Sequence, residues 1–271
     1  MLGKLRVSAT LAFTLTAALC LARADTCAQL MHPKGSGLTY SALKSALQQV
    51  VPANSHLTAP NGGLGFPMWL TLVDGSGRVC AVVTSLDGTA NNADVTADIW
   101  LGSRVISAQK ANTANSFSTG LLALSTANLY AAVQPGGSLY GLQASNPVDA
   151  LEAYQGKASD FGTMNDPLVG VRIGGVNVFG GGLALYYSGK KVGAIGVSGD
   201  TSCTDHVVAW KVRNLIKGAG VPPFGAFDKM FQDIVYDPVT GLITQASASG
   251  FGHPQCLNNP TTANDGGSIV H

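Results

Sequence analysis

Two cysteine–histidine pairs are the residues with the most chemistry to offer. Cys203 and His206 stand three apart in CTDH, and His253 and Cys256 stand three apart in HPQC. Joining the sulfurs would draw two imidazoles together, with Asp200 and Asp205 beside them. Three arrangements are open. A Cys203–Cys256 disulfide would close a loop of about 54 residues, contribute on the order of 4 kcal/mol through the entropy of the unfolded chain, and pin the tail to the core. A zinc site of two thiolates and two imidazoles has acceptable ligand types, at spacings unlike the common zinc motifs. Other pairings or free thiols complete the set. With the disulfide formed, His206 and His253 are candidate metal ligands, and the plainer role for each is to cap a backbone carbonyl or sit exposed.

The start of the chain bears on which arrangement can form. Lys4 and Arg6, the apolar run VSATLAFTLTAALCLA and Ala22-Arg23-Ala24 before Asp25 read as a secretory signal over residues 1–24. The run is short for a bilayer span of about 20 residues and no stop-transfer pattern follows, so no membrane span is expected after cleavage. The bulky Leu19 argues against a lipid-modified Cys20. Loss of Cys20 leaves Cys27, Cys80, Cys203 and Cys256, an even set that suggests two disulfides in a periplasmic or secreted protein, with three pairings permitted. Without Lys4, Arg6 and Arg23, the 16 basic residues become 13 against 15 acidic ones. So small a net charge offers no field for phosphate backbones, and nucleic acid is not an expected partner.

The elements that must position these residues can be read from hydrophobic pattern. The 271 residues are 46% hydrophobic and only 11% charged, which excludes intrinsic disorder. LTYSALKSALQQVV is a helical pattern with Leu43, Leu47 and Val50 on one face, stopped by Pro52. MWLTLV and VCAVVTS, joined through DGSGR, read as a hairpin covered on both faces. A second helix is expected from Ala97 to Phe117, with Ile99, Ile106, Thr113 and Phe117 in a stripe and Ala108, Ala111 and Ala114 allowing close approach to a sheet. Residues 118–177 form a loop-rich insertion. GGLALYY and KVGAIGVSG make a second hairpin around Ser188-Gly189. It runs into the helix TSCTDHVVAWKVRNLIK, which Thr201 or Ser202 caps and Gly218 and Gly220 end. Residues 218–271 are an extension with one amphipathic piece, Phe227, Met230, Phe231 and Ile234 on one side. Hairpins bracketed by helices indicate an α+β domain over residues 25–217 with a mainly antiparallel sheet.

In that order, LVDGSGRVCAVV, then KANTANSF, then GGLALYYSGKKVGAIGVSGDTSCTDHVVA resemble the GlcG/HbpS-like haem-binding family. The most specific stretches are VGAIGVSG followed by a helix start with Asp205, and Lys110 to Phe117. The resemblance covers roughly Leu38 to Thr119 and Gly175 to Lys217. It implies a five-stranded antiparallel sheet flanked by helices, assembly into homo-oligomers and, in some members, binding or degradation of haem.

Under that resemblance, His206 and His253 become candidate ligands for haem iron, and Arg104, Lys110 and Arg213 candidate partners for its propionates. Lys110 and Thr113 share the Ile106/Phe117 stripe and either line a groove at the sheet or do something plainer, a Lys stem over apolar surface and a hydroxyl bonded to the previous turn. Haem b would be held noncovalently, because CTDH offers one thiol where attachment needs C-x-x-C-H. GVSGD lacks the second glycine of a nucleophile elbow, no phosphate-binding P-loop exists, and Gly180 to Gly182 read as a bulge or turn before a strand. The expected function is therefore an exported, non-enzymatic haem-binding protein. The alternatives are a periplasmic accessory protein with no cofactor, and a haem-degrading protein.

Overall fold

The computed structural model describes residues 26–31, 38–86, 97–216, 226–256 and 266–268. The expected leader, residues 1–24, and the Gly218–Gly220 helix stop lie outside them. Four long strands, β1 (Trp69–Asp74), β2 (Val79–Thr84), β3 (Gly182–Tyr187) and β4 (Lys190–Ser198), form one antiparallel sheet in the order β2-β1-β4-β3. Local chemistry sets both hairpins. Asp74 Oδ1 accepts from Ser76 N at 2.9 Å and Arg78 N at 3.1 Å, folding the first turn on a carboxylate. Ser188 and Gly189 both adopt positive φ, 49° and 75°, the two-residue turn whose twist matches its strands.

The sheet is the middle of three layers, which is why β1 and β2 are buried at every residue. On one face, Leu43 and Leu47 of α1 (Tyr40–Val50) and Val208 and Val212 of α3 (Ser202–Leu215) pack over Leu70, Leu72, Ile195 and Val197. On the other lies α2 (Gly102–Ser116), whose Ala108, Ala111 and Ala114 meet Trp69, Val82 and Ala194. The approach is close: a Cβ at Gly196 would stand 2.0 Å from Ser107 O. The insertion covers the back of α2 with Ala153, Leu168 and Ile173, so that helix is buried on both sides.

Three expectations are corrected. Among the described residues the sheet has four strands, where the family resemblance implied five. Its edges are met by pairs of hydrogen bonds from the insertion: Val79 N–H donates to Val171 O and Gly170 N–H to Val79 O, each at 2.9 Å, while Gly182 N–H donates to Thr126 Oγ1 at 2.8 Å and Thr126 N–H to Gly182 O at 3.2 Å. The second helix begins at Gly102, five residues after the expected Ala97. Met230 and Ile234 are buried as expected of the amphipathic piece, but Ala226–Phe227 and Met230–Phe231 are two-residue strands and Phe227 is 45% exposed.

Candidate functional site

Helix α3 brings the predicted residues to one corner. Thr201 caps it, its side chain accepting from Thr204 N at 3.2 Å, which places Cys203 and His206 in the first two turns. Cys203 is bonded to Cys256 with Cα atoms 6.0 Å apart, and Cys27 to Cys80 with Cα atoms 5.1 Å apart. The tail then runs back along itself: His253 N–H donates to Phe231 O at 2.7 Å and Ile234 N–H to His253 O at 3.2 Å.

Both imidazoles are buried in this corner, and their partners fix their protons. His253 Nδ1 faces Pro254 O at 2.8 Å and so carries the hydrogen. Its Nε2, 2.7 Å from Ser202 Oγ, accepts the hydroxyl proton, while that oxygen accepts Gly180 N–H at 2.7 Å. His206 Nε2–H donates to Gly266 O at 3.0 Å, and the same carbonyl accepts Met230 N–H at 2.7 Å. That leaves His206 Nδ1 with a lone pair and no hydrogen-bond partner among the described residues. Trp210, one turn on, stacks near the His206 ring with centroids 6.3 Å apart. Burial lowers the pKa of His206 to about 3 and that of His253 to about 4, so both are neutral donors at ordinary pH.

The predicted cations point inward. Arg104 grips Asp166 with two bonds, Nε to Oδ2 at 2.9 Å and Nη2 to Oδ1 at 2.5 Å, under a face of Phe161. Asp166 also accepts Gly162 N–H and Leu168 N–H, which ties the insertion to α2. Lys110 Nζ meets Asp205 Oδ2 at 2.6 Å and donates to Val197 O at 3.1 Å, joining α2, β4 and α3. Burial lowers the Lys110 pKa and pushes Asp205 up to about 6 against the pull of the ammonium. Arg213 pairs with Asp228 at 2.6 Å and lies over Trp210. Each cation is thus matched by a carboxylate inside the fold and none is presented to solvent. Thr113 takes the plainer of its two roles, donating to Gln109 O at 2.7 Å and accepting Asn177 N–H at 3.0 Å.

Ser198 lies by Lys110 and Asp205, with Oγ 3.4 Å from Asp205 Oδ2. The glycines before β3 serve packing: a Cβ at Gly180 would stand 2.3 Å from Ser202 O, and one at Gly181 2.3 Å from Val197 O. Sequence reasoning missed Asp166, Asp228, Met230 and Gly266 as members of these clusters. Asp166 comes from the insertion, and Asp228, Met230 and Gly266 from the tail, where the apolar pattern marks which residues are buried and not which polar groups they meet.

A family model described as "Haem degrading protein HbpS-like" matches residues 58–213. A curated relative, an uncharacterised 15.0 kDa protein in the dhaT-dhaS intergenic region of Citrobacter freundii, is 34% identical over 112 residues, covering 41% of this chain. The match spans 57% of that relative's length. Similar solved structures include a PduOC:heme complex (23% identical, TM-score 0.43, covering 67% of this chain and 94% of that one). Another is Klebsiella pneumoniae protein ORFY (22% identical, TM-score 0.41, 66% and 90%), and a third is HbpS (18% identical, TM-score 0.36, 66% and 89%).

Proposed function

The chain belongs to the HbpS-like family, and from that premise we propose that it is an exported protein that binds haem b noncovalently, with His206 as the iron ligand. The observation that carries this reading is Nδ1 of His206, a neutral imidazole nitrogen with a lone pair and no hydrogen-bond partner among the described residues. His206 lies inside the matched residues, whereas His253 lies in the extension beyond them. The donor suits haem iron, for which imidazole is a common axial ligand. Gly266 binds the other ring nitrogen, Nε2, and packs on the Trp210 indole, where a Cβ would come within 2.5 Å of the ring. His206 is fully buried, so haem entry requires the packing around its ring to open. Arg104, Lys110 and Arg213 keep their internal carboxylates and hold the scaffold. Two disulfides support folding in an oxidising compartment.

Titration of hemin into the wild-type chain and into His206→Ala, followed by the Soret band, tests the reading. A saturable red shift at one hemin per chain, weakened at least tenfold in the variant, is the expected result, and equal affinities would remove His206. The family's description favours a second reading, oxidative haem degradation. Release of iron from the bound haem upon addition of ascorbate or peroxide would establish it, and a stable Soret band under both would dismiss it.

A further inference from the structure

The disulfide corner contains donors that the haem reading does not use. The sulfurs of Cys203 and Cys256 and a ring nitrogen of His253 all lie within 4.8 Å of one another. The thioether of the fully buried Met230 stands 3.5 Å from Cys256 Sγ. Two thiolates and a thioether are soft donors and imidazole a borderline one, a set that selects cuprous ion over the hard, oxygen-seeking cations; zinc would accept the thiolates and the imidazole and gain little from the thioether. The geometry points to a redox-gated copper(I) site, formed by Cys203, Cys256, His253 and Met230 when the disulfide between the first two is reduced.

The scaffold that would hold these donors does not depend on the sulfur–sulfur bond. Cys203 is fixed by α3. Cys256 N–H donates to Gln232 Oε1 at 2.9 Å, Gln255 N–H to Ile234 O at 3.0 Å, and His253 N–H to Phe231 O at 2.7 Å. Reduction takes two electrons and two protons from a dithiol, which is itself oxidised to a disulfide, and leaves two thiols. Binding of one cuprous ion then releases both thiol protons to solvent. The chain carries its own comparison: Cys27 and Cys80 also stand within 4.8 Å of a third ligand residue, but it is Asp74, a hard carboxylate, with Cys27 Sγ 3.6 Å from Asp74 Oδ2.

The test is anaerobic. The full chain is reduced with dithiothreitol, desalted, and titrated with tetrakis(acetonitrile)copper(I) against bicinchoninate, with circular dichroism recorded before and after reduction. One copper per chain removed from the chelator by the reduced protein and none by the oxidised protein is the expected result. Cys27→Ser/Cys80→Ser should retain the site. His253→Ala and Met230→Leu, which keep both sulfurs, should each weaken it at least tenfold. The inference is overturned if the reduced chain unfolds, if both of those variants bind as tightly as wild type, or if binding survives Cys203→Ser/Cys256→Ser.

Discussion

Lys110 and Asp205 have side chains only 1% and 3% exposed, and each charge is tolerable because the other lies 2.6 Å away. Removing one partner strands the other, at a cost of about 3–5 kcal/mol, whereas replacing both by apolar groups is close to neutral. Lys110→Met should therefore lower the urea midpoint sharply, and Lys110→Met/Asp205→Leu should recover most of the loss. A double variant no more stable than the single one would show that the pair does more than match charge. The histidines set the acid response. His206 and His253 have folded pKa values of about 3 and about 4 against 6.5 for the free side chain. The unfolded chain thus takes up their protons first as pH falls. Their contribution is complete above pH 6.5 and is lost as pH falls through the folded values, with a limiting slope of about 1.4 kcal/mol per pH unit for each group. Asp205 works in the opposite sense, since its folded pKa of about 6 exceeds the free value of 3.8 and its contribution grows as pH falls. Two histidines outweigh one carboxyl, so urea denaturation should show stability decreasing from pH 7 to pH 4.5. His206→Asn/His253→Asn should flatten that dependence, and an unchanged slope would place the titrating groups elsewhere.

The helix–sheet contact is where sequence pattern and packing agree most closely. Ala108, Ala111 and Ala114 predicted close approach of α2 to the sheet, and Gly196 on β4 completes it, facing Ser107 O and Ala111 N. Gly196→Ala should cost about 3 kcal/mol through overpacking, visible as a lowered thermal midpoint, and a neutral effect would mean that α2 can shift away without loss. The hairpins were legible because Asp-Gly-Ser-Gly and Ser-Gly specify their turns, and α1 because Leu43 and Leu47 keep a helical period. The start of α2 was not, since Ile99 continues the apolar period beyond the helix and is buried from a bend. Nor was the inward turn of Arg104, Lys110 and Arg213. A cation on a predicted helix reads as available until its carboxylate is located, and Asp166 and Asp228 arrive from the insertion and the extension, where apolar pattern does not say which carboxylate turns inward. The cysteine–histidine corner was legible in composition, but the tautomers and the covering Gly266 depend on a tail whose path only the fold defines.

At the scale of the molecule, the extension behaves as a strap drawn over α3 by the Cys203–Cys256 bond, the Arg213–Asp228 pair and the Gly266 carbonyl. Closing a loop with a sequence separation of 53 residues contributes on the order of 4 kcal/mol by chain entropy. Cys203→Ser/Cys256→Ser should therefore lose about that much stability in urea, and a loss under about 1 kcal/mol would contradict the entropic origin of the bond's contribution. Leu151 at 87% exposure, on the insertion, and Val239 at 91%, on the extension, are large apolar side chains that self-association would cover. Light scattering should return a multiple of the chain mass, and a monomer at micromolar concentration would contradict that. Haem binding as proposed turns on a nitrogen of His206 reaching the iron. Pulsed electron paramagnetic resonance of the ferric complex at equimolar hemin reads that bond directly. Imidazole nitrogen coupling present in wild type and His253→Ala and lost in His206→Ala is the predicted result; coupling that persists in His206→Ala would contradict it.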